Sequence, residues 1–175
     1  KGQALNLIAS SELLERLARD RADLIESMRQ RIAGDLLEVC GGPYHEGEDA
    51  LLPVESQLAN LKRGLAVARE LLGQDIKVFA RKRFAAHPQL PSFLTSFGIN
   101  RAVALTFDEA VLPTHRSPVI NWPAPDGKQI EAFARTPYAA DQAQTFFHLA
   151  HYLHKSIMQD QSATLALLHG AAPAG

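Results

Sequence analysis

The chain has 175 residues, 46 % hydrophobic and 21 % charged, with 18 basic residues against 19 acidic and a net charge of −1. This composition fits one folded domain and excludes disorder, and the near-zero charge excludes a global field for nucleic acid or an anionic membrane. A single cysteine, Cys40, excludes an intrachain disulfide and a cysteine-based zinc site, and no run of about 18 apolar residues is present to span a membrane.

Leu13, Leu14, Leu17, Leu24, Ile25 and Met28 recur at helical spacing. The pattern predicts one long helix, capped by Ser10 or Ser11 and ended by Gly34. Leu36 to Cys40 reads as a short buried strand stopped by Gly41-Gly42. The loop from Pro43 to Pro53 carries His45, Glu46, Glu48 and Asp49, a dense set of ionisable groups that serves either function or solubility. Val54 to Leu72 reads as an amphipathic helix with Gly73 at its carboxyl end. Strands are expected at Ile76–Ala80 and Ala102–Phe107, with a short helix at Leu90–Phe97 between them. Val119–Trp122 and Gln129–Ala134 flank Asp126-Gly127 as strand, turn and strand. A helix over Ala140–Gln159 and a strand over Thr164–Leu168 complete the chain.

Repeated helix-strand alternation predicts a parallel sheet with helical crossovers, either a barrel or an open doubly wound sheet. No glycine-rich nucleotide-binding motif follows a strand. Ligands in both architectures lie at the carboxyl ends of the strands. A full eight-unit barrel needs about 250 residues. The chain opens on a predicted helix and on Lys1 rather than Met. We therefore expect residues 1–175 to be a single α/β domain cut from a larger, here incomplete, (β/α) barrel that lacks at least its first strand and its later part. No signal peptide is visible, which points to the cytoplasm.

Arg81-Lys82-Arg83 follows a predicted strand, where cations can grip a phosphate, a carboxylate or sugar hydroxyls; a solvated turn is the plainer reading. Asp108 ends the next strand and can bind sugar hydroxyls or pair with those arginines. Trp122 offers a face for a sugar ring, although a lone tryptophan is more often core. His148, His151 and His154 lack the glutamate of a helical zinc pair and read as core or surface histidines. His45 with Glu46, Glu48 and Asp49 resembles no calcium loop. Cys40, inside an apolar strand, reads as packed rather than reactive.

The order of several short motifs resembles the catalytic barrel of glycoside hydrolase family 38, the α-mannosidases. They are Leu36-Leu37-Glu38-Val39-Cys40-Gly41-Gly42, then the acidic loop with Leu52-Pro53-Val54-Glu55-Ser56, then Gly64. Phe84-Ala85-Ala86-His87-Pro88-Gln89-Leu90-Pro91, Phe97-Gly98-Ile99, Asn121-Trp122 and Asp126-Gly127 continue the order. The resemblance implies a barrel of the glycoside hydrolase/deacetylase type, a mannose-type glycan as ligand, and zinc as cofactor. It also implies that the family's nucleophilic and zinc-binding aspartate position is taken by Lys82, and its general-acid position by Ala171. A retaining glycosidase needs two carboxylates about 5 Å apart. Lysine cannot form the glycosyl ester and alanine cannot donate a proton, so no catalytic residue and no metal ligand is found in the chain. Arg81, Arg83, Asp108 and Trp122 are then the carbohydrate-binding candidates. The expected function is that of an α-mannosidase-like hydrolase domain that has diverged from the family's chemistry. The alternatives are a hydrolase rebuilt around Asp49 or Asp108, and a non-catalytic carbohydrate-binding or structural domain. The remainder of the barrel or a partner chain would cover its open sheet edges.

Overall fold

A computed structural model of the chain describes residues 4–82, 87–103, 117–134, 138, 139, 143, 147, 148, 150, 151, 154, 158, 165 and 166. Its first element is a strand, β1 (Leu5–Ile8), paired in parallel with β2 (Leu37–Cys40), Leu5 beside Leu37. The expectation of a helical start with no strand before it is therefore corrected.

The expected long helix is two, α1 (Ser11–Asp20) and α2 (Ala22–Ala33). Ser10 caps α1 by accepting the Leu13 N–H at 3.4 Å. The helix breaks at Arg21 (φ −146°), whose guanidinium turns back to Asp23 at 2.8 Å. Neither glycine nor proline marks this break, so the apolar period runs through it unchanged. Gly34 caps α2 as expected.

α3 (Val54–Leu72) ends on Gly73, in the left-handed conformation at φ 74°. β3 (Val78–Ala80), α4 (Leu90–Ser96) and β4 (Arg101–Val103) follow. β5 (Val119–Pro123) and β6 (Gln129–Phe133) form the expected antiparallel hairpin, with Gly127 at φ 83° in its turn. β7 (Tyr138–Ala139) and β8 (Leu165–Ala166) pair in parallel. Residues 143, 147, 150, 151, 154 and 158 are helical, as expected for the fourth helical segment.

The sheet order is β1-β2 and β3-β4-β6-β5, with every neighbour parallel except β5. A bridge between Gly41 and Phe79 joins the two parts: the Gly41 N–H donates to Val78 O at 3.1 Å and the Ala80 N–H to Gly41 O at 3.0 Å. Alternation sends Val39, Phe79, Ala102 and Ala132 to one face. There Val39 packs with Leu14, Ile25, Ala68 and Leu72, while Phe79 packs with Leu61, Leu90 and Leu94. Two adjoining clusters of core thus bind the helices to one side of the sheet. Among the described residues the sheet does not close into a barrel.

Candidate functional site

Parallel pairing brings the residues that follow β1, β2 and β3 to one rim: Ala9-Ser10, Gly41-Gly42 and Arg81-Lys82. The acidic loop leaves β2 at this rim and is held at both ends. The Tyr44 N–H donates to Asn60 O at 3.1 Å. Asn60 also takes the His45 N–H on Oδ1 at 3.0 Å and donates from Nδ2 to His45 O at 2.9 Å. The Tyr44 hydroxyl donates to Glu15 at 2.7 Å, and the Arg63 guanidinium lies 3.6 Å from the Tyr44 ring centroid. His45 Nδ1 meets Glu12 at 2.7 Å, and this hydrogen bond holds the Glu12 carboxyl below its ordinary pKa.

The far end of the loop is anchored by Arg81, which is 5 % exposed. Its Nη1 donates to Asp49 Oδ2 and its Nη2 to Gly47 O, each at 2.6 Å. Asp49 is 16 % exposed at its side chain. A buried guanidinium without a counter-charge is prohibitive, so each partner requires the other; breaking such a pair costs about 3–5 kcal/mol. Lys82, the next residue, is exposed, and its backbone N–H donates to Glu46 Oε2 at 2.9 Å. The pair is incompletely satisfied. Asp49 Oδ1 and Arg81 Nε are buried without a hydrogen-bond partner, as is Gln57 Oε1 on α3, whose Nε2 donates to Leu52 O at 2.8 Å. An orphaned polar atom of this kind costs about 1–3 kcal/mol.

His87 lies half-buried beside this pair, its ring centroid 5.5 Å from that of Phe93. Burial lowers its pKa; Asp49 opposes that shift and Arg81 adds to it. Cys40 is 2 % exposed, and burial pushes its thiol up to about 12, which leaves it unreactive as expected.

Of the carbohydrate-binding candidates, the two that are described, Arg81 and Trp122, lie apart. Arg81 faces the acidic loop, with both terminal nitrogens engaged. Trp122 packs partly buried against the Phe79 cluster. It pairs with Ile130, whereas the Ala80 level of β3 continues through Val103 to Phe133. With Arg81 one residue further on, Trp122 lies about 13 Å away along the strands and three strand spacings, about 14 Å, across them. Arg83, Asp108 and Ala171 lie outside the described residues. The residues that the sequence reading passed over are Gln57 and Gly47; a glutamine on a helix and a loop glycine carry no signal without the fold.

Zinc does not fit the described residues. The position where the family-38 resemblance expects a carboxylate is the exposed Lys82, and among these residues no three His, Cys, Asp or Glu side chains converge. His45, Glu46 and Asp49 each turn to a different partner. His148, His151 and His154 are exposed. Among the described residues no helix is long and apolar enough to cross a membrane.

The parallel α/β sheet with its packed helices is shared by solved structures. A 4-α-glucanotransferase from Thermococcus litoralis superposes with a TM-score of 0.64 at 20 % identity, covering 89 % of this chain and 24 % of that one. A glycosyl hydrolase family 38 protein from Enterococcus faecalis gives 0.66 at 14 % identity, covering 98 % of this chain and 19 % of that one. An α-mannosidase from Enterococcus faecalis V583 gives 0.60 at 17 % identity, covering 75 % of this chain and 15 % of that one. The chain thus spans a quarter or less of these proteins. No curated protein matches it by sequence. Residues 1–165 match the family model of glycosyl hydrolase family 57, and the chain belongs to that family. The family-38 resemblance of its motifs holds as a likeness of fold.

Proposed function

We propose that this domain is a divergent member of its family that binds an α-linked hexose glycan, mannose-type by its motif order, and does not hydrolyse it through the β3 strand end. The observation that carries the reading is the pair at that end. The carboxylate of Asp49 is held by the buried Arg81, Glu46 accepts the Lys82 backbone N–H, and the Lys82 side chain is exposed. A carboxylate so engaged is a poor nucleophile, and a lysine cannot replace it. The names of the similar structures, a glucanotransferase and an α-mannosidase, support an α-linked glycan as the ligand class. The remainder of a barrel, or a partner chain, completes the sheet around the site.

Calorimetric titration with α-mannobiose and maltotetraose tests the reading, alongside turnover of an aryl α-mannoside and an α-1,4-glucan and a metal analysis. The expected result is saturable heat with mannobiose, no turnover and no stoichiometric zinc. Flat titrations with both sugars overturn the glycan assignment and favour a structural domain. Turnover, or stoichiometric zinc, overturns the loss of chemistry.

A further inference from the structure

Among the described residues, the buried side-chain atoms without partners are not scattered. Asp49 Oδ1, Arg81 Nε and Gln57 Oε1 all belong to residues that hold one segment, Gly47 to Leu52. Asp49 lies in it, in the single 3-10 turn Asp49–Leu51. Arg81 grips it at Gly47 and Asp49, and Gln57 grips it at Leu52. The loop is therefore well tethered at Tyr44 and His45 but under-satisfied over its second half. Leu51, at the end of that turn, is 82 % exposed, so no apolar anchor compensates there. Two acceptors and one donor are left over, and the donor is on a side chain that is 6 % exposed.

We propose that Gly47–Leu52 is a cover over a sugar-hydroxyl subsite at the β3 strand end, contacted by Asp49, Arg81 and Gln57. The inference rests on the glycan-binding reading above and names the contacts within it. A hydroxyl both donates and accepts. Neighbouring hydroxyls of one sugar ring donate to Asp49 Oδ1 and Gln57 Oε1 and accept from Arg81 Nε–H. The leftover set matches a neutral, hydroxyl-rich ligand rather than an anion, which the two acceptors would repel. The atoms are closed to solvent in the free protein, so the segment lifts to admit the sugar and settles on it. Its bonds at Asn60 and Glu15 stay in place and serve as the hinge. In this scheme Arg81 both positions Asp49 and touches the sugar.

The test uses the whole chain with α-mannobiose and maltotetraose as probes. Hydrogen exchange of the amides of residues 47–52 is compared with and without saturating sugar. Gln57→Met keeps the side-chain length and removes the amide; Asp49→Asn keeps the shape and removes one acceptor. Saturation is expected to slow exchange at residues 47–52 more than at Tyr44 and His45. Gln57→Met is expected to weaken binding about tenfold while its melting temperature stays within about 4 °C of the parent. If a variant fails to fold, the exchange comparison on the parent chain decides. Binding by the parent with unchanged exchange at residues 47–52, or with parental affinity in the folded variants, overturns the subsite and leaves the glycan reading standing. Absence of binding by the parent removes both.

Discussion

His87 has its pKa lowered, first by burial, so the folded protein favours the neutral ring. The linkage sign follows. Above the unfolded value of about 6.5 both states are neutral and the contribution to stability is complete. As pH falls below that value the unfolded chain takes up a proton that the folded chain refuses, and stability is lost until the pH has passed the folded pKa. Thermal melts from pH 7.5 to 5 should show this decline, and His87→Asn should flatten it; an unchanged slope in the variant would mean that other groups carry the pH dependence. The sequence assigns His87 no role, because Asp49 lies 38 positions away and burial, the first cause of the shift, is set by the fold. Arg81 shows the same limit. Its place after a strand and the alternation of Arg81 and Lys82 were both legible, and the structure buries the first and exposes the second. Its partner was not legible, because the loop that supplies Asp49 lies 32 positions earlier and folds back through contacts with α1 and α3.

Helices and turns with strong local chemistry were the legible elements. α3 was readable from its apolar period and from Gly73, and the β5–β6 hairpin from Asp126-Gly127. β1 was missed because Leu5-Asn6-Leu7-Ile8 is short and stands beside a much stronger helical period. Within α3, Gly64 shows what the helix contributes to the site. Glycine in a helix interior costs about 1 kcal/mol against alanine. Here a Cβ would stand 2.1 Å from Gly42 O, 2.4 Å from Tyr44 N and 2.5 Å from Pro43 C, all backbone. Ser11 fixes the same point by donating to Gly64 O at 2.6 Å. The acidic loop can therefore start its path only because α3 is bare at this position. Gly64→Ala should lose about 3 kcal/mol in chemical denaturation, at the upper end for overpacking, because backbone rather than side-chain tips must move. A variant as stable as the parent would show that the loop does not rest on the helix in this way.

At the scale of the whole molecule, fold class and glycoside hydrolase character were legible from the order of weak motifs, while the family was not. Short glycine- and proline-bearing passages mark the turns of the framework, and the solved structures of family 38 share that framework. The same framework leaves β1 at the end of the sheet. Its inward groups are engaged: the Leu5 N–H donates to Leu36 O at 3.0 Å and the Ala9 N–H to Cys40 O at 3.1 Å. The period of two turns the Asn6 and Ile8 N–H groups to the outer side, where no described strand pairs with them, and Leu5 is 51 % exposed. An edge of this kind recruits another strand. The 175-residue chain should therefore elute above monomer size as its concentration rises. Asn6→Pro removes an outward donor and leaves both inward bonds intact, which an edge strand tolerates. That variant should remain monomeric at concentrations where the parent associates, with an unchanged circular dichroism spectrum. A parent chain that is a compact monomer throughout the range would show that the outer side of β1 is already protected.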